Sequence, residues 1–282
     1  MYQRKTFEKF DINDFRYLGK YQYDKASEGL ASHFHSNCME IIFCYSGSQS
    51  YEVNQQLYHL KGGDVFMIFP NELHSTNHEP EEKGTIYWLQ LYIDSTNKHF
   101  LGLNEGESHF IMEKLMTIPN RCFKAESKQC YSIFEKLIFL AENERNVEQT
   151  LRIKQLLYQF LFLLIDTSTN QQIISTDNRT LKINKFINDN LHKSLSIKTL
   201  ADYLFLSESR FKSWFKEEFG MPAIEYCQRE RIDKSIQLYR NNKNMSISDI
   251  AYTLGFQSPQ HFSSLFKKFK GISPSVFIRN LN

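Results

Sequence analysis

The chain has 282 residues, about twice the usual size of a domain, so we expect two domains. With 41% hydrophobic and 23% charged residues, and only 11 Gly and 6 Pro, the composition excludes disordered and collagen-like proteins. The net charge of +2 is unevenly divided: residues 177–282 hold 17 Lys and Arg against 10 Asp and Glu (+7), which leaves −5 for residues 1–176. A basic C-terminal third favours an anionic partner, either nucleic acid or an anionic membrane surface.

The cysteines and the apolar runs indicate a cytoplasmic protein. The five cysteines are scattered without a C-x-x-C pair, so we expect reduced thiols rather than disulfides or a cysteine zinc site. The N-terminal residues MYQRKTFEKF are polar and lack the apolar segment of a signal peptide. The most apolar run, Leu156–Ile165, has ten residues, about half of the ~20 that span a bilayer. We therefore expect no membrane association.

From about residue 15 to 95 the sequence predicts short β-strands. β-rich runs such as MEIIFCYSG, SYEVNQQLYHL, KGGDVFMIFP and TIYWLQLYI are separated by turn residues. No long amphipathic helix lies between these runs, so the pattern favours a sandwich or small barrel over alternating strands and helices.

Two amphipathic helices and a linker follow these strands. Apolar residues at spacings of three and four predict helices over Ser132–Asn143 and Val147–Ile165, which cover the barrel or pair with another copy of the chain. The polar segment 167–178 has the composition of a linker. The predicted organisation is a first domain over 1–166, with its barrel at about 15–95 and helices at about 128–166, and a helical domain over 179–282.

The helical domain contains an internal repeat. Residues 196–220 (SIKTLADYLFLSESRFKSWFKEEFG) match residues 246–271 (SISDIAYTLGFQSPQHFSSLFKKFKG), with Gln257 as one extra residue. The matched residues are Ile197, Ala201, Leu204, Ser207, Phe211, Phe215 and Gly220 in the first copy and Ile247, Ala251, Leu254, Ser258, Phe262, Phe266 and Gly271 in the second.

Each copy predicts a helix-turn-helix unit. A short helix with a small residue is followed by a break and then by a Ser that can cap the N-terminus of a second helix. In such units the second helix lies in the major groove of DNA. A helical bundle without a DNA role is the alternative, but the second helices are basic and lie in the +7 segment. The basic residues are Arg210, Lys212, Lys216, Lys267, Lys268 and Lys270.

The region 180–280 resembles the AraC/XylS-type transcription regulators. In particular, GFQSPQHFSSLFKKFKGISPSVF (Gly255–Phe277) is similar to that family's C-terminal signature. The resemblance implies two helix-turn-helix units, joined by a long helix from about Met221 to Tyr239, that enter successive major grooves of double-stranded DNA. It implies base contacts from Ser209, Lys212 and Ser213, with Arg210 adjacent, and from Gln260, His261, Ser263 and Ser264, and phosphate contacts from Lys216 and Lys267.

Two of these residues predict different kinds of contact. The amide of Gln260 can pair with adenine through two hydrogen bonds, which contribute ~1–3 kcal/mol of discrimination between bases. A lysine such as Lys267, one turn further along the helix, contributes affinity without sequence preference because it contacts phosphate.

The N-terminal domain resembles the cupin pattern and the sensor barrel of sugar-responsive members of the same family. The cupin spacing is carried by His33, His35, Glu40 and Gly47, and then by His74 after GGDVFMIFPNEL, although Glu72 stands where cupins usually have Gly. We expect H-x-H to present two imidazoles from one strand face. With His74 and Glu40 from neighbouring strands they make three imidazoles and one carboxylate, a set that suits a transition metal. The alternative is that they line a sugar pocket or satisfy core hydrogen bonds, and we expect no cofactor and no functional metal.

Alignment with the family's sensor places one face of the run 87–92 inside the barrel. Because side chains alternate along a strand, Trp88, Gln90 and Tyr92 share that face. An aromatic ring beside a planar amide suits a sugar ring and its hydroxyl groups, whereas an aromatic strand can equally form core. We therefore predict a ligand site formed by His35, Glu40, His74, Trp88, Gln90 and Tyr92.

These features predict a two-domain α+β protein, with an N-terminal cupin-like β-barrel followed by helices and a C-terminal all-α domain with two helix-turn-helix units. We interpret it as a transcription regulator that senses a small molecule, most simply a carbohydrate. The resemblance also implies a homodimer through the helix 147–165 together with the preceding helix, with packing on their own barrel as the alternative. The alternatives are a metal-dependent cupin enzyme fused to a DNA-binding domain and a constitutive regulator whose barrel binds nothing.

Overall fold

The computed structural model describes residues 2–76, 79–94, 96–170 and 178–281. The chain divides into two compact units. The first unit comprises Met1–Gln22, Gly29–His78 and Gly84–Ile174, and the second comprises Tyr23–Glu28, Glu79–Lys83 and Ser175–Asn282. Among the described residues, no helix has both the length and the apolar character that a bilayer crossing requires.

The first unit is built on an eight-stranded antiparallel sheet, which confirms the predicted sheet-rich, cupin-like domain. The predicted range of about 15–95 contains most of its strands, and one strand lies on either side of that range. The strands are β1 (Tyr2–Thr6), β2 (Phe15–Tyr23), β3 (Cys38–Val53), β4 (Gln56–Lys61), β5 (Asp64–Ile68), β6 (His74–Ser75), β7 (Gly84–Tyr92) and β8 (Cys122–Lys124).

Strand β3 organises this sheet because its two halves pair with different strands. The main order is β1-β2-β7-β3-β5-β8, while β4 and β6 pair with the second half of β3. The register of β3 against β7 shifts between Cys44 and Ser46. Such a shift bends a strand, so the second half of the long β3 leaves the main path of the sheet and pairs with β4 and β6.

The two faces of β3 and β7 have different roles. Met39 and Ile41 on β3 and Leu89 and Leu91 on β7 belong to the main hydrophobic cluster, which also contains residues of the following helices. The alternate residues of these strands face the other way. On that face Glu40 lies opposite Gln90 in the register.

Among the described residues, three α-helices pack in the first unit: α1 (Glu105–Met116), α2 (Ser127–Glu142) and α3 (Val147–Asn170). The sequence did not predict α1, and it placed the start of the helix that corresponds to α2 five residues too late, at Ser132. Helix α3 continues past Ile165 into the predicted linker 167–178, and Ser168 and Thr169 donate side-chain hydrogen bonds to the Ile165 carbonyl. The part of that linker at 171–177 lies outside the described residues.

The C-terminal part of the second unit is helical, as predicted. Two helix pairs, α5 with α6 and α8 with α9, correspond to the two copies of the sequence repeat. The helices are α4 (Asn178–Asp189), α5 (Ile197–Tyr203), α6 (Glu208–Phe219), α7 (Ala223–Asn241), α8 (Ile247–Thr253), α9 (Pro259–Lys270) and α10 (Pro274–Leu281).

The predicted capping serines start the second helix of each pair. The Ser207 side chain accepts a hydrogen bond from the Arg210 backbone N–H, and Ser258 accepts one from His261. These bonds satisfy backbone donors that the first helical turn leaves unpaired. Both α6 and α9 end at a glycine in the left-handed conformation.

Each helix pair has its own hydrophobic core. Phe211 and Phe215 of α6 belong to one buried cluster, whereas Phe262 and Phe266 of α9 belong to another. Helix α7 contributes to both: its first turns, with Tyr226, join the first cluster, and its later turns, with Ile232, join the second. One continuous helix therefore connects the two copies of the repeat.

Candidate DNA interface and sensor pocket

The predicted DNA-contacting residues lie on the surfaces of α6 and α9. Because the buried phenylalanines recur at helical spacing, most of the polar positions between them point outward. Among the ten predicted residues, Ser263 is half-buried and the others are exposed. The exposed residues are Ser209, Arg210, Lys212, Ser213 and Lys216 on α6, and Gln260, His261, Ser264 and Lys267 on α9.

Lys270 differs from the other basic residues of α9. Its side chain is only 5% exposed, and its Nζ lies 3.0 Å from Asp233 Oδ1 on α7. Lys270 follows Phe266 by one helical turn and therefore falls on the buried face. The expectation that it adds to the basic surface is wrong, because its charge is compensated inside the domain.

The turns before α6 and α9 place different residues in the same backbone conformation. Phe205, at φ 55°, and Gly255, at φ 73°, occupy the matching position of the repeat, and both lie in the left-handed region. A side chain at Gly255 would place its Cβ 2.4 Å from the His192 carbonyl oxygen. Phe205 carries a side chain that is 95% exposed. The internal repeat of the sequence aligns these two positions, but it does not show that the backbone at Phe205 is strained.

Three histidines converge at one end of the first unit. One ring nitrogen each from His33, His35 and His74 lies within 4.8 Å of the others. The backbones of His33 and His74 form an isolated antiparallel bridge, with N–H to carbonyl distances of 3.0 and 2.9 Å. His35 lies outside any strand. The expectation that H-x-H presents two imidazoles from one strand is therefore wrong, and a bridge between distant segments brings them together.

Glu40 and Gln90 lie beside His35. Gln90 Nε2 donates a hydrogen bond to Glu40 Oε2 at 2.7 Å and lies 2.9 Å from His35 Nε2. His35 Nε2 is also 3.0 Å from Glu40 Oε2. Burial favours the neutral acid, but the hydrogen bonds from His35 and Gln90 outweigh it and hold the pKa of Glu40 below its ordinary value. Glu40 is therefore a buried carboxylate at neutral pH.

His74 has one satisfied and one unsatisfied ring nitrogen. Its Nδ1 lies 3.0 Å from the Glu72 carbonyl oxygen. Its Nε2 is buried and has no hydrogen-bond partner among the residues that the structure describes. Burial lowers the pKa of His74, so the imidazole is neutral at pH 7. Hydrogen bonding to the carbonyl places the proton on Nδ1 and leaves the lone pair on Nε2.

Glu72, where the sequence departs from the cupin pattern, supports this arrangement. Arg121 holds its carboxylate through two hydrogen bonds of 2.7 and 2.9 Å, and Glu72 Oε2 accepts a third from the Phe69 backbone N–H. Burial favours the neutral acid, but these bonds outweigh it and lower the pKa of Glu72. The residue fixes the backbone that orients His74.

The two predicted aromatic residues contact other residues of the first unit. Trp88 is half-buried, and its ring covers Gly19, where an added Cβ would meet the indole at 2.0 Å. Tyr92 is exposed and accepts a hydrogen bond from Asn37 Nδ2 at 3.4 Å. Of the six predicted ligand residues, the structure thus brings four into direct proximity: His35, Glu40, His74 and Gln90.

A polar pocket of about 230 Å³ opens beside His74. Sequence analysis missed its other residues because they come from separate segments whose pairing has no local signal. Side chains with hydroxyl, amide and carboxylate groups predominate in it, which suits a hydrogen-bonding ligand. The lining residues are Ser32, Glu52, Asn54, Gln55, Leu73, His74 and Ser75.

Two family models match the chain, one in each half. An AraC-like ligand binding domain matches residues 22–161. A helix-turn-helix domain matches residues 200–280.

Similar proteins include transcription regulators of comparable length. The Msm operon regulatory protein of Streptococcus mutans serotype c is 24% identical over 283 residues, which cover 98% of this chain and 97% of the relative. The arabinose operon regulatory protein of Escherichia coli K12 is 24% identical over 220 residues, covering 76% of this chain and 71% of the relative. The HTH-type transcriptional activator RhaS of Enterobacter sp. is 26% identical over 248 residues, 85% of this chain and 84% of the relative.

Two solved structures also share limited similarity with the chain. ToxT from Vibrio cholerae is 15% identical with a TM-score of 0.38, and the match covers 94% of this chain and 98% of ToxT. The DNA-binding domain of AdpA in complex with a target DNA is 20% identical with a TM-score of 0.35, covering 37% of this chain and 93% of that domain.

Proposed function

Because the chain belongs to the AraC family of DNA-binding transcription regulators, we propose that α6 and α9 read bases in successive major grooves. Like its relatives, the chain is a transcription regulator and not an enzyme, and it has a ligand-binding domain. The observation that carries the proposal is the duplicated helix-turn-helix, whose two second helices each present exposed polar residues at the N-terminus and an exposed lysine further along. A cytoplasmic location fits this proposal, because a DNA-binding regulator acts where the DNA is and the five cysteines are free thiols.

Selection of binding sites from random DNA tests this reading. Gln260→Ala is expected to change the preferred base at one position, because it removes a bidentate contact that contributes ~1–3 kcal/mol of discrimination. Lys267→Ala is expected to weaken all sites alike and to reduce the salt dependence of binding by about one phosphate contact. Lys243→Ala is the control, since Lys243 is exposed between the two helix pairs. An unchanged base preference in Gln260→Ala would refute the assignment.

The first unit supports a sensing role for a polyhydroxylated small molecule, which we take to be a carbohydrate. The polar pocket and the neighbouring Gln90 and Glu40 supply several hydrogen-bond donors and acceptors. The pocket and the described residues around it carry few basic side chains, which disfavours a strongly anionic ligand. One relative is named as the regulator of the arabinose operon, which is consistent with a sugar effector.

A panel of mono- and disaccharides tests the sensing role. In a Trp214→Phe background, Trp88 is the single tryptophan and reports on the first unit by fluorescence. A binding sugar is expected to shift this signal or the thermal stability, and Gln90→Leu is expected to abolish the response. Gln56→Ala, on an exposed position of β4, is the matched control. If no sugar alters either signal, carbohydrate sensing is wrong.

Exposed apolar side chains on α3 and α1 support a homodimer. Leu151 and Phe162 on α3 and Phe110 on α1 are exposed. Phe110 and Phe162 also border an open apolar groove of about 410 Å³ between these helices. Contiguous exposed apolar surface is typical of an interaction site, and a second copy of the chain would cover it.

Sedimentation of substituted chains tests the dimer. Phe162→Glu is expected to convert a dimer into a monomer, because it places a charge in the apolar groove. Phe139→Glu on α2 is the control, because Phe139 is exposed outside the groove-lining residues. A wild-type chain that remains monomeric at micromolar concentrations would remove this proposal.

A further inference from the structure

Glu52 gives the polar pocket of the first unit a negative charge. It lies on β3 opposite Ser75 of β6, and both residues line the pocket. The Glu52 carboxylate has no ion pair and no side-chain hydrogen bond among the residues that the structure describes. Lys and Arg are absent from the described lining residues, and His74 is neutral at pH 7. A half-buried carboxylate in this setting favours a ligand with positive charge.

The neighbouring acid, Glu72, is already compensated. Its carboxylate is paired with Arg121 at 2.7 Å and also accepts a hydrogen bond of 3.2 Å from Asn54 Nδ2. The pair of opposite charges adds no net charge, and the hydrogen bond holds Asn54 at the wall of the pocket. The charge that a ligand meets in this pocket is therefore that of Glu52.

The turn at the wall of the pocket is strained at Gln55. The two-residue loop 54–55 joins β3 to β4, with φ of 49° at Asn54 and 69° at Gln55. Two-residue hairpin loops with positive φ at both positions favour Asn followed by Gly. Gln55 thus keeps an exposed side chain, which lines the pocket, at a position where glycine would remove the strain. Strained residues of this kind cluster at binding sites.

The size of the pocket limits the ligand. Its volume of about 230 Å³ equals that of roughly eight liquid waters at ~30 Å³ each, and it is below the ~300–1,000 Å³ of sites for drug-sized ligands. A monosaccharide suits this space better than an oligosaccharide does. Neutral hydrogen-bonding groups for its hydroxyls come from Ser32, Asn54, Gln55 and Ser75.

We propose that the polar pocket selects an amino sugar of monosaccharide size, whose ammonium group is bound by the Glu52 carboxylate. This inference rests on the proposed sensing role and narrows its ligand to carbohydrates with a positive charge. The Gln55 amide and the neutral polar groups bind the hydroxyl groups. Hydrogen bonds between two charged groups are stronger than those with a neutral partner. The ammonium group is therefore expected to improve affinity at least about tenfold over a hydroxyl at the same position.

Titration calorimetry with the full-length protein tests this selection. The probes are glucosamine, galactosamine and mannosamine, in a slightly acidic buffer that keeps the amine protonated. Each is compared with its parent hexose and with its N-acetyl derivative, which has the same ring but no charge. At least one amine is expected to bind about ten times more tightly than both of its neutral counterparts.

Two variants separate recognition from folding. Glu52→Gln keeps the shape of the side chain and is expected to abolish the preference for the amine, while the parent hexose binds as it does to the wild type. Gln55→Gly is expected to weaken binding of the amine without lowering the Tm, because glycine relieves the left-handed strain. Glu144→Gln, at an exposed acid outside the pocket lining, is the matched control.

The outcomes distinguish this inference from the sensing role. Equal affinity for each amine and its parent hexose, or an unchanged preference in Glu52→Gln, would overturn the amino-sugar assignment and leave carbohydrate sensing intact. The assignment is also overturned if none of these nine sugars binds. The sensing role fails with it only if the wider panel of neutral sugars gives no response either.

Discussion

Substitution of the left-handed turn residues is expected to change the stability of the two helix-turn-helix units in opposite directions. Phe205 holds the left-handed conformation with a side chain, at a cost of about 1–2 kcal/mol relative to glycine. Its side chain is almost fully exposed, so Phe205→Gly removes little apolar contact. The greater freedom of glycine in the unfolded chain offsets about 0.5–1 kcal/mol of the relieved strain. We therefore expect Phe205→Gly to raise the free energy of unfolding by about 0.5–1 kcal/mol.

The matching substitution in the second copy has the opposite effect. Gly255→Ala introduces the same left-handed strain and also places Cβ 2.4 Å from the His192 carbonyl oxygen, which is backbone and moves only with the chain. Strain and overpacking together are expected to cost about 3 kcal/mol. For the same change, from glycine to a residue with a side chain, the second position therefore costs about 2 kcal/mol more stability than the first.

Thermal unfolding followed by Trp214 fluorescence measures the first effect. Trp214 contacts Phe211 and Phe215 in the first helix-turn-helix, and a Trp88→Phe background removes the other tryptophan signal. A gain near 0.7 kcal/mol raises the Tm of a domain of this size by about 4 °C. Phe205→Ala is the control, because it removes the ring but keeps the strain. The reasoning is refuted if Phe205→Gly lowers the Tm or if Phe205→Ala raises it equally.

Three further predictions concern side-chain packing and stability. Gly19→Ala is expected to displace the Trp88 ring, which would red-shift the Trp88 emission in a Trp214→Phe background; an unchanged spectrum would contradict the packing. Arg121→Leu is expected to lower the free energy of unfolding by about 2 kcal/mol at pH 7, because it removes two charged hydrogen bonds from Glu72. Because the folded pKa of Glu72 is lowered, this contribution is present above the unfolded pKa of ~4.3 and is lost as pH falls through the folded pKa, so wild type and variant should converge in acid denaturant titrations. Ser258→Ala removes the N-cap of α9 and is expected to lower the free energy of unfolding, measured with a chemical denaturant, by about 1 kcal/mol. Ser275→Ala is the control, because Ser275 is exposed and is not an N-cap.

The sequence predicted those features that depend on local spacing. Phe211 and Phe215 are four residues apart and are buried together, and Ser207 caps the helix that carries them. The alternation around Gln90 likewise predicted which strand residues share a face. In each case the residues interact with neighbours along the same helix or strand, so their order in the chain contains the information.

The residues that were missed depend on contacts between distant segments. The bridge between His33 and His74 joins residues that are far apart in sequence, and no local pattern specifies it. The burial of Lys270 was different, because its spacing after Phe262 and Phe266 already placed it on the apolar face of α9. Helix α1 also had a usable signal in the capping box formed by Asn104 and Glu107.

The shared helix α7 makes the separation of the two reading helices a fixed length. Its 19 residues extend about 28 Å, and each residue added within it would also turn one helix-turn-helix by about 100° relative to the other. If α6 and α9 enter successive grooves as proposed, small insertions in α7 would misalign them on the face of the DNA. New operators could then arise by base changes within the two grooves, whereas the distance between those grooves would be set by the length of α7.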